Sequence, residues 1–73
     1  MKLLDVVALL EDIPNYHLHR GQVGTIVEVY EPQVFEVEFS DLNGRAYAIE
    51  TILEKQLMVL CHHPLHERFL VSV

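Results

Sequence analysis

The sequence predicts a small all-β domain, and three observations carry that expectation. Val34 to Ser40 alternates Phe35, Val37 and Phe39 with Glu36 and Glu38, so an extended chain there has one apolar and one acidic face. Val23 to Tyr30 is rich in β-branched residues and follows Arg20-Gly21-Gln22. Between and after these runs stand Glu31-Pro32-Gln33 and Asp41-Leu42-Asn43-Gly44, whose proline, asparagine and glycine suit tight connections and interrupt strands.

The remaining elements follow in chain order. Val6 to Leu10 reads as a first strand that enters a long loop reaching Gly21. Glu31-Pro32-Gln33 makes a hairpin of the two central strands, with Tyr30 opposite Val34 and Glu28 opposite Glu36. Arg45 to Glu50 alternates again, with Tyr47 and Ile49 expected to face inward. A loop of Leu42-Asn43-Gly44 with Gly44 in a left-handed G1 bulge gives that register, pairing Phe39 with Tyr47 and Val37 with Ile49. The tighter Asn43-Gly44 turn would set Val37 against Glu50, a one-residue slip that turns every side chain over. Thr51 to Lys55 suits one helical turn, and Leu57 to Leu60 a last strand before Pro64. A helical reading of Leu3 to Leu10 and Thr51 to Leu60, giving an α+β fold, is set aside because three β-rich runs are joined by turns of hairpin length.

This order of strand, long loop, strand, hairpin, strand, helical turn and strand is the layout of a small SH3-like barrel of about five strands with a C-terminal extension. The expected division is a barrel domain over residues 1–61 and a tail over 62–73.

Composition bounds the function. The chain has 73 residues, 51% of them hydrophobic and 22% charged, which is a globular balance in a length that holds one domain. Its single cysteine, Cys61, cannot form an internal disulfide and reads as a small buried hydrophobe. Met1 to Asp5 is not flanked as a signal peptide is, and no uncharged apolar stretch has the length of a bilayer span, so a cytoplasmic protein is expected. Five Lys and Arg against eleven Asp and Glu give a net charge of −6, the wrong sign for drawing in a phosphate backbone.

Arg20-Gly21-Gln22-Val23-Gly24-Thr25-Ile26-Val27-Glu28-Val29 resembles the KOW-type motif, in which glycines precede a β-branched strand of a small barrel. Gly21 and Gly24 are expected to permit a positive φ or a close backbone crossing where the loop meets the strand. Together with Leu3 to Pro14 and Gln56 to Leu60, the segment is similar to short bacterial, mainly cyanobacterial, proteins that carry only a domain-of-unknown-function label. The likeness covers about residues 1 to 64 and implies a fold, with no catalytic or binding residues to carry over.

Candidate sites lie on the exterior, because a barrel of this size is filled by its own side chains. Cys61 and His62 are neighbours in an extended segment and point to opposite faces, which is no setting for a nucleophile and its base. No catalytic role, cofactor or metal site is therefore assigned. His17, His19, His62, His63 and His66 are read as surface histidines, lacking the cysteines or carboxylates that accompany a zinc site. The expected registers place Glu28, Glu36 and Glu50 in one row across three strands, where a basic partner would dock. Tyr16, Leu18, Ile26, Tyr30 and Phe69-Leu70-Val71 are hard to bury together in one small barrel, so Tyr16, Leu18, Tyr30 and Phe69 are added as partner contacts. The tail is expected to add to a sheet edge, its own or that of a second copy. The function read from these features is a non-catalytic protein-interaction module, one form being an antitoxin-like or immunity-like partner. The alternative is RNA or ribosome binding through the KOW-like segment.

Overall fold

The computed structural model describes residues 1–62. Five strands, β1 (Val6–Leu9), β2 (Val23–Glu31), β3 (Val34–Ser40), β4 (Ala46–Leu53) and β5 (Leu57–Cys61), form one antiparallel sheet in the order β4-β3-β2-β1-β5. The all-β expectation is met. The sheet is open, with β4 and β5 as its two edges.

One apolar core gathers residues from every strand: Val7 and Leu9 of β1, Ile26 of β2, Phe35, Val37 and Phe39 of β3, Ile52 of β4 and Leu57 of β5. A single sheet brings its two edges into a common core only by curling, which the right-handed twist of its strands favours. The long loop closes the core from outside. It carries a 3₁₀ turn at Pro14–Tyr16, a left-handed residue at His17 and reciprocal Ile13 and Leu18 backbone hydrogen bonds of 2.9 and 3.2 Å. This fold-back drives Leu18 inward, to 2% exposure.

The glycines do what the sequence requires of them. Gly21 has φ +91° where the loop turns into β2. Gly24 lies so close to β3 that a Cβ there would stand 2.7 Å from Val37 Cγ1 and 2.8 Å from the Glu38 carbonyl oxygen.

Both hairpins depart from the expected registers, each through a bulge. In the first, Ile26 pairs with Val37 but Glu28 with Glu36, which leaves Val27 as an extra residue. A second shift leaves Tyr30 extra, so that Glu31 joins β2 and pairs with Val34 across a Pro32-Gln33 turn. In the second hairpin the turn itself is as expected. Asp41 Oδ1 accepts from the N–H groups of Asn43 (2.8 Å) and Arg45 (3.0 Å), the Asp41 N–H donates to the Arg45 carbonyl (2.9 Å), and Gly44 has φ +80°. Ser40 then pairs with Ala46, but Phe39 pairs with Ala48, so Tyr47 bulges and the register slips by one. Ile49 consequently faces outward and is half exposed, contrary to expectation, whereas the bulged Tyr47, equally exposed, keeps its ring 6.4 Å from that of buried Phe39 and accepts a 3.1 Å hydrogen bond from Gln22 Nε2. Steric economy accounts for the slip. Two fully buried phenylalanines already fill the space beneath β3, and the slip sets the small Ala48, in place of Tyr47, directly opposite Phe39.

The last connection is a 3₁₀ turn at Glu54–Gln56, one turn later than Thr51 to Lys55 suggested. Gln56 Oε1 accepts the Leu53 N–H at 3.1 Å. Cys61, expected to be buried, is exposed at the end of the β5 edge.

Candidate functional site

The alternation of β3 that buries Phe35, Val37 and Phe39 puts Glu36 and Glu38 on the opposite, outer face of the sheet. Across β2, Glu28 stands directly opposite Glu36, as expected. Across β4, Glu36 faces Thr51, whose Oγ1 donates a 3.0 Å hydrogen bond to Glu36 Oε1. Glu50 does not join the row. The Tyr47 bulge pairs it with Val37 on the core-facing side, where it is half-buried. The row is thus Glu28, Glu36 and Thr51, with Glu38 beside it between Thr25 and Ile49.

Tyr30 completes this surface. It is 56% exposed and borders Glu36 and Glu28. Partial desolvation and the neighbouring Glu36 and Glu28 carboxylates raise its pKa above the ordinary tyrosine value. Its hydroxyl therefore stays protonated beside the carboxylates. Two depressions flank the row. One of about 400 Å³ is lined by Glu31, Gln33, Val34, Leu53, Glu54 and Lys55. The other, of about 290 Å³, is lined by Val23 to Thr25, Glu38 and Ser40 to Leu42.

The other expected contacts are sorted by burial. Leu18 belongs to the core and cannot meet a partner, and Ile26 is fully buried because the Val27 bulge separates its face from that of Glu28. Tyr16 is half-buried against the core. Phe69, the tail edge strand, His63 and His66 lie outside the described residues.

One polar pair escaped the sequence reading. Asp5, fully buried, accepts the Lys2 N–H at 2.9 Å and stands 2.9 Å from Nδ1 of the exposed His62. Burial pushes its pKa up, but the His62 hydrogen bond, the Lys2 N–H and the charges of both residues outweigh it, so the carboxyl titrates below its ordinary value. The signal was present: Val6 pairs with Cys61, which brings their neighbours Asp5 and His62 together. It could be read only with the β1–β5 register in hand.

Among the described residues no group of three or more His, Cys, Asp or Glu side chains is placed to hold a metal ion, and no helix is long and apolar enough to cross a membrane. No curated protein and no solved structure matches the chain. A family model matches residues 3–59, which include all but the end of β5; the chain belongs to the family described as domain of unknown function DUF4926.

Proposed function

We propose that this protein is a non-catalytic interaction module of the bacterial cytosol whose outer β2-β3-β4 face binds a basic protein. The observation that carries the reading is the fixed carboxylate of Glu36, held by the Thr51 hydroxyl and backed by Glu28 and Tyr30. A carboxylate already oriented by a hydroxyl donor loses little freedom when a lysine or arginine arrives, and an aromatic ring beside it favours the same cation. The net charge of −6 adds long-range attraction for a basic surface. An antitoxin-like or immunity-like partner that masks a basic active site is the concrete form this chemistry suits. The strand order and the Gly21 and Gly24 geometry support the SH3-like, KOW-like reading of the sheet. The same glycines are the support for the RNA-binding alternative, which Lys2, Arg20, Arg45 and Lys55, scattered over separate segments, weaken.

The test is affinity capture from the native host with wild type and with Glu28→Lys/Glu36→Lys. A basic protein retained by wild type should be lost by the doubly reversed variant, with circular dichroism showing both chains folded. An identical set of retained proteins would refute the assignment of this face.

A further inference from the structure

Among the described residues, β4 is a sheet edge that no other segment covers. Edge strands are ordinarily protected by shortness, charge, proline or a covering segment, because their outward N–H and C=O groups template pairing with another chain. β4 spans eight residues (A-Y-A-I-E-T-I-L), contains no proline and bears one charged side chain, Glu50. Its backbone parity is readable. The Glu54 N–H bonds the Gln33 carbonyl at 2.9 Å on the β3 side, whereas the Leu53 N–H is taken by Gln56. By the two-residue repeat, the N–H and C=O groups of Ile49 and Thr51 therefore face away from β3.

The chemistry around this edge selects its occupant. Outward from it stand the partly exposed side chains of Ile49 and Leu53 on one face, with Glu36 and Glu38 one strand behind them. On the other face Glu50 lies half-buried between Ala48 and Ile52, with no cationic partner among the described residues. A second copy of this chain would bring another charge of −6 to the same edge. A cationic strand would instead meet a carboxylate on each face.

Resting on the reading that a basic protein is the partner, we propose that an extended, lysine- or arginine-containing segment of that protein adds to β4 as a further strand. It pairs with the backbone of Ile49 and Thr51 and sets a cation opposite Glu50. Main-chain hydrogen bonds supply register-tolerant affinity in such additions, and the side chains on each face supply selectivity. An isolated surface carboxylate patch would bind without ordering this edge.

A blocked peptide of about ten alternating lysine and valine residues is the probe, titrated at low ionic strength into the full-length ¹⁵N-labelled chain. Amides of Ile49 and Thr51 should shift and gain exchange protection. Ile49→Pro removes one outward N–H at a position where an edge strand tolerates proline, so it should keep the fold and weaken the peptide about ten-fold or more. Because that variant could unfold, the same peptide N-methylated on alternate residues is tested on wild type, and one of the two methylation phases should abolish binding while the other does not. Glu50→Gln should weaken it less than Ile49→Pro. Absence of binding, equal binding by both methylated peptides, or shifts confined to Glu28, Glu36 and Tyr30 would overturn strand addition. The last pattern would leave the acidic face standing as the docking site, whereas loss of basic partners from Glu28→Lys/Glu36→Lys tests that face independently. Dimerisation without peptide, with the same β4 protection, would assign the edge to a second copy and overturn the proposal.

Discussion

Gly24→Ala tests the packing of the sheet at its tightest point. The added methyl would stand 2.7 Å from Val37 Cγ1, 2.8 Å from the Glu38 carbonyl oxygen and 3.0 Å from Phe39 Cδ1. The second of these is backbone of the strand that Gly24 pairs with, so no rotamer change relieves it, and β3 must move away from β2 by several tenths of an ångström. Overpacking of this kind costs about 2 kcal/mol. Removing a glycine from the unfolded chain returns about 0.5–1 kcal/mol. The net loss is about 1–1.5 kcal/mol, and at about 4–8 °C per kcal/mol for a domain of this size the Tm falls by about 4–12 °C. Gly44→Asn is the control. Gly44 has φ +80° but no atom within 4 Å of an added Cβ, and asparagine tolerates the left-handed region, so its Tm should stay within about 3 °C. Thermal unfolding followed by circular dichroism reads both. Val37→Ala should partly rescue Gly24→Ala, because it removes one of the three clashes, and the pair should show a coupling of at least about 0.5 kcal/mol. A Gly24→Ala protein as stable as wild type, or strict additivity with Val37→Ala, would refute the close-approach argument.

Two further outcomes follow from the core and from the buried carboxylate. Leu18→Ala should cost about 2–5 kcal/mol, enough to unfold a large share of so small a domain, whereas Leu42→Ala at an exposed hairpin tip should change stability by less than about 0.5 kcal/mol; urea midpoints that fail to separate the two would return Leu18 to the surface. Asp5 titrates below its ordinary value in the folded protein, so its stabilising contribution is present above the unfolded carboxyl pKa and disappears as pH falls through the lower, folded one. Asp5→Asn should therefore be less stable at neutral pH and lose part of the acid-induced decline; parallel stability curves for wild type and variant would contradict the role of the His62 and Lys2 contacts.

What the sequence discloses depends on whether a strand's alternation is one-sided. β3 carries apolar residues in one parity and glutamates in the other, and its span of Val34–Ser40 agrees residue for residue with the expectation. β4 is apolar in both parities, Tyr47, Ile49 and Leu53 against Ala46, Ala48 and Ile52, so periodicity could not say which set faces the core. Turn chemistry pointed to the correct loop around Asp41 and Gly44, but register is fixed at a turn only until the first bulge. The bulge at Tyr47 answers to the volume beneath Phe35 and Phe39, a tertiary quantity. Leu18 was misplaced for a related reason. One leucine between two histidines reads as exposed loop, and only the Ile13–Leu18 bridge turns it inward.

The candidate site divides along the same line. Glu28 and Glu36 were legible because the Tyr30 bulge offsets the shorter Pro32-Gln33 turn and so restores the pairing a three-residue loop would give, while Glu50 lies beyond Tyr47 and was carried to the other face. That displacement changes the energetics of the row. A Glu36–Glu50 pair would have added a second like-charge opposition, each costing roughly 0.2–1 kcal/mol. Thr51 instead gives Glu36 a donor, so the Glu28–Glu36 opposition remains the row's chief cross-strand repulsion. A cation placed between these two carboxylates gains its attraction to both and also cancels their mutual repulsion. Binding of a cation at this face would therefore draw on repulsion already held in the unbound sheet, and added salt, which screens both contributions, would weaken such a complex while relieving the repulsion within the fold.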